Sequence, residues 1–535
     1  TDPQAAEENL SNGKDVRNFA EAIEKYHPGG FIYFNWNGNI STPLNPKQVQ
    51  DLSNGLQQIA MQQRLPIPLL LATDQEGGSV ARVKEPATVF PGNMALGATR
   101  SPLLAGQQAR VTAQELKALG LNMDMAPVVD VNVNPNNPVI GIRSYGEDPK
   151  LVATLGAAQV LGYQHTGIAA TAKHFPGHGN TDVDSHTGLP VISHDWEKLQ
   201  RIDLPPFRAA IASGVDAVMA AHILVPTLDP SGMPASLSKP ILTDLLRNQL
   251  GFRGVIVTDA LDMQGAQVLP ADRIPIAAIE AGADLLLMPP DVDVAYQSIL
   301  RAVQQGEISQ DRIDQSVERI LTLKWKLGLF TDPFADPADL SKLGRPASQA
   351  VAARIADRSI TLLKNNNAVL PLPAGEHVVV AGPRTAGGET LASLLQAMGI
   401  QADAVGTATN PSSTEMEQAV DAARQAQAVV VTTSNATSSV SQQQLVQRLV
   451  TLGHPVIVAA MGKPYDATVL PASIDAYLAA YGNQPVTVHA LAQVLTGRID
   501  PSGKLPVTIP GEYPFGAGLS FETGSRPSAG PVHRP

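Results

Sequence analysis

Between residues 30 and 330 the chain alternates short apolar runs with polar clusters and helix-length segments. The runs occupy 30–34, 68–73, 121–126, 168–172, 217–220, 254–258 and 284–288. Each is too short for a helix and is bounded by Gly, Pro or Asp, the pattern of a parallel strand buried on both faces. Helical spacing follows in between, as over 103–119 and 203–213. Seven such units are countable and no eighth is placed. The repeat predicts an α/β fold that opens with an N-terminal TIM-type (β/α)8 barrel over 1–330. A Pro-, Asp- and Ser-rich stretch over 331–350 reads as a linker. The rhythm then restarts at 377–382, 428–432, 455–459 and 476–480. A smaller doubly wound α/β sandwich domain is predicted over 351–521, followed by a Gly/Ser/Pro-rich tail over 522–535.

The apolar runs of the first domain end in reactive groups: Asp74, Asp124, Lys173 with His174, His222 and Asp259. Loops after strands are polar in any protein. Five runs that each end directly in a charged or titratable group go beyond that. In a barrel, strand ends converge on one face, where active sites sit.

Composition narrows the function. The net charge of −11 is the wrong sign for a chain that grips nucleic acid by its phosphates. No uninterrupted apolar stretch is long enough for a membrane span. Cysteine is absent, which removes disulfides, thiolate metal sites and cysteine nucleophiles. The chain starts at Thr1 without Met, so a mature or trimmed form is expected.

The densest chemistry lies in residues 173–186, which hold Lys173, His174, His178, Asp182, Asp184 and His186. Three readings are open: a metal site, a structural polar loop, or an acid/base loop. The His174 and His178 spacing would suit a metal on a helix, but Pro176, Gly177 and Gly179 break any helix there. In the acid/base reading, Asp184 orients and polarises His186, which then gives and takes a proton. The two glycines predict a mobile loop. The segment 251–266 supplies a carboxylate, Asp259, immediately after its strand, with Asp262 as rival. No metal or other cofactor is expected.

These two segments together resemble glycoside hydrolase family 3, in its bacterial β-N-acetylglucosaminidase branch. The resemblance rests on KHFPGHG (173–179) with DSH (184–186), on DQEGG (74–78), on GIRSYGEDP (141–149) and on MAAHI (219–223). In the second domain SITLLKN (359–365), DPSGKLP (500–506) and the 513–519 segment are similar to two-domain members. The resemblance implies a retaining exo-hydrolase that releases N-acetylglucosamine from chitin-like or peptidoglycan-derived sugars. It implies Asp259 as nucleophile and Asp184–His186 as the general acid/base. Asp74, Arg143, Lys173 and His174 would bind sugar hydroxyls. His222, which reads equally as a core histidine, and Met288, at the end of the seventh run, complete the substrate-binding set. One departure is local: the family turn continues with Arg after EGG, whereas this chain has Ser79, with Arg82 nearby.

The same site would also suit a phosphorylase, because histidine does not repel phosphate as a carboxylate does. A β-glucosidase and a non-enzymatic sugar-binding protein are the other readings. The expected partner is a carbohydrate, with no nucleic acid and no membrane span, and the chain is expected to be a monomer. Two-domain members of the branch resemble secreted or wall-associated enzymes, which sets the expected location.

Overall fold

The computed structural model describes residues 16–521. The first domain is built on a curled sheet of six parallel strands: β1 (Gly30–Tyr33), β2 (Leu70–Thr73), β3 (Met123–Asp124), β4 (Ala169–Phe175), β5 (Ala217–Ala220) and β6 (Val255–Thr258). They neighbour one another in sequence order, the arrangement that successive right-handed crossover connections produce. The run 284–288 does not form a strand. It joins β6 through a single parallel bridge between Val257 and Leu285. Among the described residues the sheet is therefore a half-barrel, not a closed ring of eight strands.

Local signals set the helices. Ser101 and Asp148 each cap a helix that opens with proline, α1 (Pro102–Ala118) and α2 (Pro149–Gln164). The side-chain oxygens accept from the amides of Leu104 and Leu151, and Pro forfeits only an amide that lacks a partner anyway. One face of the sheet packs on these helices through Leu71, Ala170, Ala172, Val218 and Ile256. The other carries Leu70, Ala72, Met123, Met125, Ala169, Met219, Val255 and Val257. Leu323, buried, and Ile320, partly buried, reach this concave face from α3 (Gln310–Lys326).

Residues 337–342 form a short 3-10 turn, and α4 (Pro346–Ser359) follows. Val351, Ala352 and Ile355 of α4 pack in the first core, whereas Ala356 packs in the second. The second domain has a six-stranded sheet. Its strands are β7 (Thr361–Asn365), β8 (His377–Pro383), β9 (Gln401–Thr407), β10 (Ala428–Thr433), β11 (Val456–Ala460) and β12 (Ala476–Ala479). They lie in the order β9-β8-β10-β11-β12-β7, with β7 antiparallel to β12. Each face of this mixed sheet has its own apolar core. The tail over 522–535 lies outside the described residues.

Candidate active site

The carboxyl ends of β2, β3 and β4 are in register: Thr73 pairs with Asp124, and Asp124 with Ala170. Asp74, Lys173 and His174 thus arrive on one rim. The Lys173 ammonium lies 2.8 Å from Asp74 and 2.8 Å from Glu76. Glu76 also accepts a forked pair from Arg143, at 2.9 and 2.7 Å. Burial alone would raise the Glu76 carboxyl, but the Arg143 and Lys173 charges override it and hold it ionised. Lys173 and Glu76 pair with each other and each has a further partner of opposite charge, Asp74 and Arg143, which permits both to be almost fully enclosed.

His174 is oriented from both sides. Its Nδ1 lies 2.7 Å from Asp130, and its Nε2 lies 3.4 Å from the Arg143 guanidinium. Arg143 can only donate. Nε2 therefore accepts, and Nδ1–H donates to Asp130. The other Asp130 oxygen accepts the backbone amides of His174 and His178, at 3.2 and 2.7 Å.

Asp259 follows β6 directly and accepts the Ala260 amide at 2.8 Å. Burial would raise its carboxyl. His174, His222, the Ala260 amide and Lys173 outweigh that and keep it below the ordinary carboxylate range. Asp262 goes the other way, pushed up by burial and by the Asp259 charge. The two rival carboxylates are distinguished by the net effect of these surroundings, downward at Asp259 and upward at Asp262, although His186 and His222 also act downward on Asp262.

The Nδ1 of His186 lies 2.7 Å from Asp184, and the same oxygen accepts the His186 amide at 2.9 Å. Burial acts upward on Asp184, but both His186 bonds lower it. The His186 side chain is 60% exposed, and among the described residues its Nε2 has no hydrogen-bond partner. Two backbone bonds fasten this loop to the turn after Asp259: Gly265 to Ser185 at 3.1 Å, and Gln264 to His186 at 3.4 Å.

The three histidines of the dense segment do not converge on one point: His174 and His178 meet edge to face, with ring centroids 6.0 Å apart, and each has its own side-chain partners. His178 is buried and bonds Thr181 and Ser185 at 2.8 and 3.0 Å, while His174 and His186 face Asp130 and Asp184. Burial pushes the His178 ring down to about 4, so it is neutral near pH 7. Among the described residues no group of three or more metal-ligating side chains gathers.

The expectation of a slack loop needs correction over 177–180. A Cβ on Gly179 would stand 1.8 Å from the Val131 carbonyl, and one on Gly177 would press on Asp203. These glycines serve close approach of backbone rather than freedom. Exposure begins only at Asp182 and Val183.

Two members of the expected substrate-binding set are placed otherwise than expected: His222 stands beside Asp259 with its ring engaged, and Met288 lines a cavity. His222 is fully buried, with Nδ1 2.7 Å from the Ser236 hydroxyl and Nε2 2.9 Å from the Ala260 carbonyl. Both nitrogens are occupied, so it supports the turn after Asp259 instead of offering a bond to sugar. Met288 lines a separate cavity of about 900 Å³ with Leu70, Ala72, Met123 and Met125. That cavity includes none of Asp74, Lys173, His174 or Asp259. Conversely, Glu76, Asp124 and Asp130 carry much of the site's wiring and were not assigned a role from sequence. A carboxylate inside an apolar run, as in Met123–Asp124–Met125 and Val129–Asp130–Val131, is the signal that marks them.

The second domain reaches this rim. Lys463 donates to the Asn137 carbonyl at 2.5 Å, and the Tyr465 hydroxyl accepts from Asn132 at 3.2 Å. Asn137 in turn donates to the His178 carbonyl at 2.9 Å.

Fold and site define a two-domain α/β chain whose carboxylates and bases meet at the strand ends of a half-barrel, a scaffold built for catalysis. Residues 4–323 match the Glycosyl hydrolase family 3 N terminal domain, and residues 360–521 the C-terminal domain of the same family. The chain belongs to glycosyl hydrolase family 3. It is 41% identical over 386 residues to "Beta-hexosaminidase A" of Pseudoalteromonas piscicida, covering 67% of this chain and 63% of that protein. It is 37% identical over 325 residues to a "Beta-N-acetylglucosaminidase/beta-glucosidase" of Cellulomonas fimi, covering 58% of this chain and 57% of that one. The chain thus spans about three fifths of these two relatives. A solved family 3 beta-N-acetylglucosaminidase from Paenibacillus sp. str. FPU-7 superposes with a TM-score of 0.85 at 39% identity, over 93% of this chain and 96% of that one.

Proposed function

We propose that the protein is an exo-acting, retaining β-N-acetylhexosaminidase that removes terminal β-linked N-acetylglucosamine from chitooligosaccharides or peptidoglycan-derived sugars. The reading rests on one observation above the rest: the Asp184–His186 pair is fastened by backbone bonds to the turn that follows Asp259. A proton donor and an anionic nucleophile are thereby held on a common frame. The names of the relatives support the choice of sugar.

In the first step the Asp259 carboxylate bonds to the anomeric carbon as the glycosidic C–O bond breaks. The His186 imidazolium gives its Nε2 proton to the departing oxygen, with Asp184 stabilising the charged ring until then. In the second step the neutral ring takes a proton from water. That water attacks the anomeric carbon and the Asp259 ester bond breaks, leaving the carboxylate free again. The anomeric configuration is inverted twice and so retained. Asp74, Lys173, Arg143 and His174 hold sugar hydroxyls, with Glu76 and Asp130 fixing their positions.

The test compares an aryl N-acetyl-β-glucosaminide with the aryl β-glucoside and follows the product anomer by proton NMR. Preference for the acetamido sugar with the β-anomer released first is expected. Mass-spectrometric trapping with a 2-fluoro sugar should label Asp259. Label on Asp262, or first release of the α-anomer, defeats the assignment. Glycosyl phosphate appearing in phosphate buffer would identify a phosphorylase instead.

A further inference from the structure

Trp36 is 64% exposed. A lone exposed aromatic on a protein surface needs no explanation. This one is built into the site. It lies three residues past β1, whose last residue, Tyr33, is in register with Thr73, the residue before Asp74. One face of its ring rests on buried Phe34, with centroids 4.2 Å apart and planes 18° apart.

Arg82 links this ring to the catalytic rim. Its guanidinium carbon lies 4.7 Å from the Trp36 ring centroid, and its Nη2 lies 3.8 Å from Asp74. The position of Arg82 is fixed by its backbone. Its amide donates to the Gln75 side chain at 2.8 Å, and its carbonyl accepts from Asn35 at 2.9 Å. The guanidinium itself makes no hydrogen bond among the described residues, and its Nε is buried without a partner. An aromatic plane held flat on a second ring, beside a guanidinium with unused donors, suits one kind of ligand. That ligand has an apolar C–H face to lie on the indole and hydroxyls to receive N–H bonds.

We infer that Trp36 is a stacking platform for a second pyranose ring of the substrate, with Arg82 as its hydrogen-bonding edge. The inference rests on the glycosidase reading above. Because that reading is exo-acting, a second ring can only be the unit on the leaving-group side.

The test uses the whole chain and two substrates. Chitotriose has rings beyond the cleaved bond, and N-acetyl-β-glucosaminyl fluoride has none. Trp36→Ala should lower kcat/KM for chitotriose by roughly 5- to 30-fold, through KM, the usual cost of truncating an anchoring aromatic. The fluoride should be turned over as before, and Trp36→Phe should retain much of the chitotriose activity. An equal loss on both substrates, or none on either, overturns the platform. Binding is read apart from turnover by tryptophan fluorescence in the Asp259→Ala background, where chitotriose should change the emission and Trp36→Phe should abolish that change. A persisting change would trace to Trp196 or Trp325 and overturn the inference. Failure of the native chain to turn over either sugar would defeat the reaction assigned above, and the fluorescence arm would still decide the platform.

Discussion

Replacing His186 by Ala is the sharpest probe of the acid/base assignment. The residue is 60% exposed, and among the described residues its side chain has one hydrogen-bonding partner, Asp184, at 2.7 Å. Its removal therefore opens no cavity and leaves no buried group unpaired, and the folded state should keep its melting temperature. What is lost is the proton given to the leaving oxygen, which contributes roughly 10²- to 10⁴-fold for a positioned general acid. The loss should scale with the basicity of that oxygen. A disaccharide should lose the full factor, an aryl glycoside of a basic phenol somewhat less, and a dinitrophenyl glycoside little in its first step. Asp184→Asn keeps His186 in place and removes only a charge that is itself 31% exposed. Such a pair is worth about 1 kcal/mol or less, or roughly fivefold in rate. The assay is kcat/KM across a series of aryl glycosides plotted against phenol pKa. A steeper slope for His186→Ala than for the native enzyme is expected. A uniform drop across the series would refute the role of His186. His178→Ala provides the contrast: this buried ring bonds Thr181 and Ser185, so its loss should weaken all substrates alike and lower thermal stability.

Three other outcomes follow from buried groups. Burial raises the Asp124 carboxyl to about 8, so the folded chain holds a proton there that the unfolded chain releases near pH 4. That contribution to stability is present at acid pH and declines as pH rises from about 4 to 8. Asp124→Asn, which retains an acceptor for the Gln75 amide 2.9 Å away, should flatten the fall in melting temperature over that window, and an unchanged profile would contradict the protonated state. Asp130→Asn should raise KM by roughly tenfold or more, since a bond to a charged group is worth about 1.5–3 kcal/mol and His174 loses its fixed tautomer; an unchanged KM would show that His174 does not bind sugar. Gly179→Ala should lower the melting temperature and the activity together, because its Cβ would stand 1.8 Å from the Val131 carbonyl; a variant as stable as the native chain would show that this segment has room to shift.

The apolar periodicity was enough to locate six strands of the first sheet and four of the second, because a strand buried on both faces must be apolar along its length. It was not enough for β9. That edge strand alternates buried Ala402 and exposed Asp403 and so carries no continuous apolar run. The half-barrel was equally out of reach. The run 284–288 has the composition of a strand, yet whether it extends a ladder depends on backbone groups of a neighbour that local sequence does not specify. The site divides along the same line. Asp259, Asp184 and His186 could be picked out as candidates, since a carboxylate directly after a strand and a carboxylate two residues before a histidine are local relations, and the family resemblance gave them their expected roles. The roles of Glu76 and Asp130 are not local. Glu76 matters because Arg143, 67 residues away, and Lys173 both aim at it. Asp130 matters because it collects His174 and two amides across 44 and 48 residues. His222 and Met288 show the converse: each has a strand-end position, but His222 turns both nitrogens inward and Met288 faces another cavity. By itself, then, the sequence determined which segments are buried and which residue types end them. Only the tertiary structure decided which of those ends meet, because a titratable group acquires its charge state and its function from partners that the chain delivers from far along its length.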